Sequence, residues 1–207
     1  MGLANTVYVV DDDSAVRDSL RMLLESSGFT VRTHDSARAF LAERPAVSGC
    51  VLTDVRMPEI DGLELQRLLR EQGIWLPVIV MTGQGDIAIA VRAMKTGAVD
   101  FLEKPFDDEA LFQAIDRALA ENRLRREAAS LSAEASARIS SLTPREREVL
   151  DLLVTGLPNK AIGNELGTSP RTIEVHRARV MEKLQVRSLP ELVRLVLATE
   201  AGAPGRI

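Results

Sequence analysis

The sequence predicts two domains: a five-stranded parallel, doubly wound α/β domain, followed by a small all-α domain. Short apolar runs alternate with helical patterns over the first 120 of the 207 residues. The runs are continuous rather than alternating, which is typical of strands covered on both faces. The remaining residues show helix-start signals. A chain of this length is long enough for two small domains.

Five βα units are predicted in order along the first domain. The strands are Thr6–Val10, Thr30–Thr33, Cys50–Thr53, Val78–Met81 and Val99–Leu102. The helices are expected at 14–27, 36–44, 63–72, 86–96 and from 107 onward. In the first helix the apolar residues recur at three- and four-residue spacing, which is the period of one helix face, at Val16, Leu20, Leu23 and Leu24.

A long helix is predicted from 107 to about 137, because this stretch contains no Gly and no Pro. At 1.5 Å per residue it would extend roughly 45 Å. Leu124, Ala128, Leu131 and Ala135 form a thin apolar seam that would allow weak pairing with a second copy. The alternative is a charged, solvated connector that frays around 130–136.

Four short helices are predicted in the last part of the chain. The strings TPRE at 143–146 and SLPE at 188–191 have the pattern of capping boxes, with Pro tolerated in the first turn. Ser169-Pro170 begins another helix, and 159–166 supplies the one before it. A helix, a tight turn containing Gly and a second helix form a helix-turn-helix.

Charge is distributed unevenly along the chain. Residues 1–120 have a net charge of −7 and residues 121–207 a net charge of +3, which suggests an acidic module joined to one that binds a polyanion. The apolar fraction of 45% excludes a disordered chain, and no apolar run is long enough for a membrane span. The single cysteine, Cys50, and an N-terminal string without signal-peptide features predict a reducing cytoplasm.

Polar residues follow four of the predicted strands. Asp11–Asp13 follow the first, Asp54 the third, Thr82 the fourth and Lys104 the fifth. Ligands of such sheets bind at the carboxyl ends of the strands. Crowded carboxylates repel one another unless a cation such as Mg²⁺ lies among them, and a Lys with a Thr hydroxyl suits a phosphoryl group. Asp54, alone at the central strand, is the candidate nucleophile for an aspartyl phosphate.

The strings VYVVDDD, LTDVRMPEIDG, VIVMTGQGD and GAVDFLEKPF resemble a two-component receiver domain. LTPREREVLDLLVTGLPNKAIGNELGTSPRTIEVHRARVMEKL resembles a LuxR/FixJ-type helix-turn-helix. Together they are similar, over nearly the whole chain, to response regulators of the FixJ type. The resemblance implies a receiver domain at 1–122, a helical linker at 123–139, a DNA-binding domain at 140–200 and a disordered tail at 201–207.

The resemblance also implies roles for individual residues. Asp54 would be the phosphoacceptor, Thr82 and Lys104 would contact the phosphoryl group, and Phe101 would be the switch aromatic. Phe101 lacks the hydroxyl of the Tyr often found there. The Mg²⁺ ligands would be Asp11, Asp12, Asp54 and the main-chain carbonyl of Arg56. The bond between Lys104 and Pro105 would be cis.

The basic segment 169–184 would be the recognition helix, lying in the major groove of DNA. Ile173, Val180 and Leu184 would pack inward. The side chains predicted to face base edges are Arg171, Glu174, Val175, Ala178 and Arg179. The side chains better placed for phosphates are Lys160, Thr172 and Lys183. His176 fits either packing or a phosphate contact.

The function predicted is a phosphorylation-dependent transcriptional regulator and not an enzyme. Its partners would be a sensor histidine kinase, double-stranded promoter DNA and, on phosphorylation, a second copy bound through the 86–121 surface, with RNA polymerase as a further candidate and no membrane. The last predicted helix, from Leu189 to Ala198, would supply part of a second dimer contact.

Two other functions are weighed against this one. A haloacid-dehalogenase-like Mg²⁺-dependent phosphatase uses a similar site, but needs an Asp-x-Asp-x-Thr/Val string that Asp11–Ala15 does not complete. An RNA-binding output would use aromatic side chains, and residues 121–207 contain none.

Overall fold

The computed structural model describes residues 5–83 and 87–201, with positions 87, 200 and 201 described by their backbone alone. Five parallel strands form one sheet in the order β2-β1-β3-β4-β5. The strands are β1 (Thr6–Val10), β2 (Thr30–His34), β3 (Cys50–Asp54), β4 (Val78–Thr82) and β5 (Asp100–Glu103). The strand order changes direction at β1 and β3, so the carboxyl ends of these two strands flank the crevice where ligands bind.

Helices cover both faces of this sheet. They are α1 (Ser14–Ser26), α2 (Ala37–Ala42), α3 (Gly62–Glu71), α4 (Ile87–Lys95) and α5 (Asp108–Ser140). One apolar layer joins the sheet to α2, α3 and α4, and contains the buried rings of Tyr8 and Phe40. A second layer joins the opposite face to α1 and α5 through residues such as Leu24 and Ile115. The predicted doubly wound fold is therefore confirmed.

Several details of the sheet differ from the sequence prediction. The inner strands are buried almost continuously, whereas β2 alternates between exposed and half-buried residues before the buried His34, because it lies at an edge. β5, at the other edge, buries only Leu102 and lies one residue later than predicted. The strands β3 and β4 also extend to Asp54 and Thr82, so these two residues end their strands instead of following them.

The second helix is shorter than predicted. Ser36 lies outside it as the N-cap, with its side chain accepting a hydrogen bond from the Ala39 N–H. At the other end Arg44 has φ of 51°, in the left-handed region, which an α-helix does not tolerate. The helix therefore ends at Ala42.

Helix α5 is continuous from Asp108 to Ser140, so the fraying around 130–136 is not observed. The chain forms two compact units, Met1–Leu124 and Arg125–Ile207, and α5 contributes residues to both. The residues of the predicted apolar seam lie in different environments. Leu124 and Leu131 are 64% and 61% exposed, whereas Ala135 is buried in the second unit.

The second unit contains helices joined by turns, and no strand, over its described residues. Its further helices are α6 (Pro144–Val154), α7 (Asn159–Glu165), α8 (Pro170–Lys183) and α9 (Leu189–Ala201). Ile173, Val180 and Leu184 are fully buried in its core, as their spacing predicts. Ala201 is helical and was wrongly assigned to the disordered tail, while residues 202–207 lie outside the described part of the chain.

The two predicted capping boxes differ from each other. At α6 the box is complete, because Thr143 Oγ1 accepts from the Glu146 N–H and the Glu146 carboxylate accepts from the Thr143 N–H. At α9 the Glu191 carboxylate accepts instead from the N–H of Arg187, one residue before Ser188. No helix in the described ranges is both long and apolar enough to cross a membrane.

Candidate functional site

Two carboxylates and one ammonium group meet at the carboxyl edge of the sheet. Lys104 Nζ lies 2.9 Å from Asp11 Oδ2 and 2.6 Å from Asp54 Oδ1. Asp11 directly follows β1, Asp54 ends β3 and Lys104 directly follows β5, so the three side chains come from three strands. The geometry joins residues that are 50 and 93 positions apart in the chain.

The charge of Lys104 is stabilised in this setting. Partial burial lowers the pKa of its ammonium group, but the hydrogen bonds to Asp54 and Asp11 outweigh that effect and the pKa is raised overall. Asp11 is 1% exposed, so its interaction with Lys104 is weakly screened by water. The site therefore holds a permanent positive charge beside two carboxylates at neutral pH.

Backbone groups orient the two carboxylates. The Arg56 N–H donates to Asp54 Oδ2 at 2.6 Å, and the Asp13 N–H donates to Asp11 Oδ1 at 2.9 Å. Arg17, in α1, donates to the main-chain carbonyl of Asp11 at 2.6 Å. Each carboxylate is thus held from its own chain segment as well as by Lys104. The sequence analysis missed Arg17, because no local pattern links it to Asp11.

Gly62 is a second residue that the sequence analysis missed. It begins α3, and a Cβ at this position would lie 2.3 Å from the main-chain oxygen of Asp54. Asp61 caps the same helix by accepting from the Glu64 N–H at 2.7 Å. The Asp-Gly pair, a common turn signal, was the available clue. Because Gly62 has no side chain, α3 can begin in direct contact with the end of β3, where Asp54 lies.

The bond between Lys104 and Pro105 is cis in the structure. Thr82 and Phe101 lie on the neighbouring strands β4 and β5. Thr82 is 3% exposed and pairs in register with Glu103, while Phe101 is 41% exposed. A cavity of about 340 Å³ adjoins both residues, and its wall includes Ala90 and Met94 of α4. Phe101 therefore borders a space that also reaches the end of β4.

The oxygen donors at the sheet edge suit a hard divalent cation. Asp12 is exposed next to Asp11, and the main-chain carbonyl of Arg56 lies two residues beyond Asp54. In residues 5–83 and 87–201 no three His, Cys, Asp or Glu side chains meet at metal-binding distance. The Lys104 ammonium is the cation on which Asp11 and Asp54 converge. Carboxylate and carbonyl oxygens are the ligands that Mg²⁺ prefers, so this donor set fits it.

The basic helix α8 presents most of the predicted DNA-facing side chains to solvent. The exposed residues are Arg171, Thr172, Glu174, Val175, Ala178, Arg179 and Lys183, together with Lys160 on α7. Ser169 caps α8 by accepting from the Thr172 N–H at 3.1 Å. His176 is half-buried, and its Nδ1 is buried with no hydrogen-bond partner in the part of the chain that the structure describes.

Lys183 has a different environment from the other predicted phosphate contacts. Its Nζ lies 2.7 Å from Glu146 Oε2, and the Glu146 side chain is only 5% exposed. The hydrogen bond from Lys183, with one from the Thr143 N–H, lowers the pKa of the Glu146 carboxyl to about 2. Lys183 is thus already paired within the second unit.

Comparison with known protein families divides the chain into two domains, in the order that the sequence predicts. Residues 7–116 match the response regulator receiver domain, and residues 140–196 match the bacterial regulatory proteins of the luxR family. The transcriptional regulatory protein FixJ of Azorhizobium caulinodans is 54% identical over 92% of this chain and 91% of its own length. FixJ of Rhizobium meliloti is 51% identical over 93% of this chain and 95% of its own.

Solved structures give the same result. The response regulator StyR matches with a TM-score of 0.80 and 47% identity, over 93% of this chain and 98% of its own. Full-length FixJ from B. japonicum matches with a TM-score of 0.59 and 49% identity, over 95% and 97% of the two chains. The haloacid-dehalogenase-like alternative gains no support from these matches. The chain therefore belongs to the two-component response regulators of the FixJ type, in which a receiver domain precedes a LuxR-type DNA-binding domain.

Proposed function

We propose that this chain is a transcriptional regulator that is switched by phosphorylation of Asp54. The observation that carries the proposal is the convergence of Asp11, Asp54 and Lys104 at the carboxyl ends of three strands. The receiver domain would span 1–122, a helical linker 123–139 and the DNA-binding domain 140–200. A sensor histidine kinase would donate the phosphoryl group in the cytoplasm.

In the phosphorylation step an Asp54 carboxylate oxygen attacks the phosphorus, and the bond between phosphorus and the donor nitrogen breaks. Lys104 then neutralises charge on the phosphoryl oxygens, and the Thr82 hydroxyl donates to one of them. Mg²⁺, when bound, supplies further positive charge at this group. Its ligands would be Asp11, Asp12, Asp54 and the main-chain carbonyl of Arg56.

Transmission would begin at Thr82 and Phe101. When Thr82 moves toward the phosphoryl group, Phe101 turns from its 41% exposed position into the adjoining cavity of about 340 Å³. The surface formed by α4, β5 and the first part of α5 then favours a dimer. The partners in this step are a second copy of the chain and, after it, promoter DNA, with RNA polymerase as a further candidate.

DNA recognition would use α8 in the major groove. The side chains proposed to reach base edges are Arg171, Glu174, Val175, Ala178 and Arg179. The side chains proposed to contact phosphates are Lys160, Thr172 and His176, whereas Lys183 is already paired with Glu146. Support comes from the exposure of these residues on α7 and α8, with His176 half-buried.

The experiment is sedimentation velocity of the full chain in Mg²⁺, with and without beryllofluoride as a phosphoryl mimic. We expect a monomer that becomes a dimer only with the mimic. Asp54→Asn should remain monomeric, and Asp151→Asn, the same change at an exposed residue of α6, should behave as the wild type. An Asp54→Asn variant that still dimerises with beryllofluoride would exclude Asp54 as the phosphoacceptor.

A further inference from the structure

Helix α6 lies outside the helix-turn-helix, which consists of α7 and α8, yet it contacts both of these helices. Arg145 donates to the main-chain oxygen of Leu166, the C-cap of α7, at 2.6 Å. Glu146 accepts from the ammonium group of Lys183, in the last turn of α8, at 2.7 Å. Two consecutive residues in the first turn of α6 therefore hold the ends of two different helices.

The position of Glu146 is itself closely defined. Its Oε2 also accepts from the Thr143 N–H at 2.9 Å, as part of the capping box. The side chain is 5% exposed, so its negative charge is stabilised by these donors rather than by water. Because the capping box holds the Glu146 carboxylate at the start of α6, Glu146 offers Lys183 a positioned acceptor.

Other contacts leave the turn between α7 and α8 little freedom. A Cβ on Gly163 would lie 2.8 Å from the main-chain oxygen of Thr168, which shows how closely the turn packs on α7. The start of α8 is thus held by the turn, and its end is held through Lys183. The orientation of the exposed residues between these two points depends on both.

We propose that Arg145 and Glu146 are positioning residues for DNA recognition, and that Lys183 serves this brace instead of binding a DNA phosphate. The brace is defined here as the contacts of Arg145 with Leu166 and of Glu146 with Lys183. It sets the angle at which α8 presents its base-facing side chains. The inference rests on the proposed function, because it concerns the same DNA-binding surface.

A phosphate contact and a brace differ in their dependence on salt. Removing one phosphate contact reduces the slope of log affinity against log salt by about 0.9, and weakens all sequences similarly. Removing a brace leaves the slope unchanged and weakens the preferred sequence selectively, because the base-reading side chains lose their alignment. The two roles can therefore be separated on one variant.

The test uses the full chain with Mg²⁺ and beryllofluoride, and a duplex that the wild type enriches from a random-sequence library. Affinities for this duplex and for a scrambled duplex are measured between about 50 and 200 mM salt. Lys183→Met should lower affinity for the enriched duplex about tenfold, with the scrambled duplex and the salt slope unchanged. Lys183→Arg should restore the affinity. Lys160→Met, an exposed lysine on α7, is the matched control and should reduce the slope.

The Glu146→Gln variant gives a second way to distinguish a phosphate contact by Lys183 from the brace. Removing a negative charge would tighten DNA binding if Lys183 contacted a phosphate, because the freed ammonium would then act on DNA. The brace predicts the opposite, a selective loss similar to that of Lys183→Met. The double variant should lose no more than either single variant, since the two residues act through one contact.

A measurement without DNA keeps the brace testable if no duplex is enriched. Amide hydrogen exchange at residues 180–184 should accelerate in Lys183→Met and Glu146→Gln, but not in Lys160→Met. Unchanged exchange, or an equal loss on both duplexes with a reduced salt slope, would overturn the brace. Absence of any enriched duplex would instead count against the proposed DNA-binding function.

Discussion

Gly62 shows how a residue without a side chain contributes to the Asp54 site. A Cβ at this position would lie 2.3 Å from the Asp54 main-chain oxygen and 3.2 Å from Thr53 Cγ2. The nearest of these atoms belongs to the backbone, which cannot move aside as a flexible side chain can. Gly83, also near the site, has no atom of the described residues within 4 Å of such a Cβ. These two glycines form a matched pair.

We expect Gly62→Ala to lower the free energy of unfolding of the receiver domain by about 1–3 kcal/mol, because overpacking displaces α3 or the end of β3. It should also slow phosphorylation of Asp54 by acetyl phosphate. Gly83→Ala should stay within about 0.5 kcal/mol of the wild type. Urea unfolding followed by Trp75 fluorescence measures both, and equal stabilities for the two variants would contradict the steric argument.

Glu146 gives a pH dependence whose direction follows from its partners. Hydrogen bonds from Lys183 and from the Thr143 N–H lower its pKa in the folded chain to about 2, from an ordinary value of 4.5. The unfolded chain therefore binds a proton at higher pH than the folded chain does. The stability due to Glu146 is complete above pH 4.5 and is lost as the pH falls toward 2.

We expect the melting temperature of the second unit to fall less between pH 5 and pH 2.5 in Glu146→Gln than in the wild type, as the glutamine cannot titrate. Circular dichroism of the helical signal provides the measurement. A parallel decline in both proteins would show that other carboxylates dominate the acid response.

Among the helices, α6 and α9 begin with similar sequences but with different contacts. At α6 the hydrogen bonds between Thr143 and Glu146 are reciprocal. At α9 the Ser188 hydroxyl is 3.4 Å from the Glu191 N–H, and Glu191 accepts from Arg187. Both motifs satisfy backbone donors at a helix start, but only the first also anchors Lys183.

Thr143→Ala should therefore destabilise the second unit by about 1 kcal/mol, the usual cost of losing an N-cap. Ser188→Ala should cost less, since its bond is long and the N–H of Arg187 keeps its acceptor. Urea unfolding monitored by circular dichroism compares the two. A larger loss of stability in Ser188→Ala than in Thr143→Ala would show that hydrogen-bond length does not determine which of these two N-caps stabilises its helix more.

For the full chain, the acidic first unit and the basic second unit predict a steep salt dependence of DNA binding. A dimer that neutralises four phosphates would show a slope of log affinity against log salt of about −3 to −4. Fluorescence anisotropy on the enriched duplex, with Mg²⁺ and beryllofluoride, measures this slope. A flat response would exclude a direct phosphate contact by Lys160.

Local patterns in the amino-acid sequence were sufficient to predict the fold class, the strand ends that carry Asp11, Asp54, Thr82 and Lys104, and the complete capping box at Thr143. These features depend on periodicity and on neighbouring residues, which determine burial and hydrogen bonding within one element. The same reasoning placed the inward face of α8 correctly.

Contacts between residues on different elements could be known only from the folded chain. The pairing of Lys183 with Glu146, the approach of Arg17 to the Asp11 carbonyl and the close contact of Gly62 with Asp54 leave no periodic signal. Each depends on how two elements pack, and packing determines which polar groups must be paired. Lys183, which the sequence predicts to contact DNA, is for this reason paired with Glu146 in the structure.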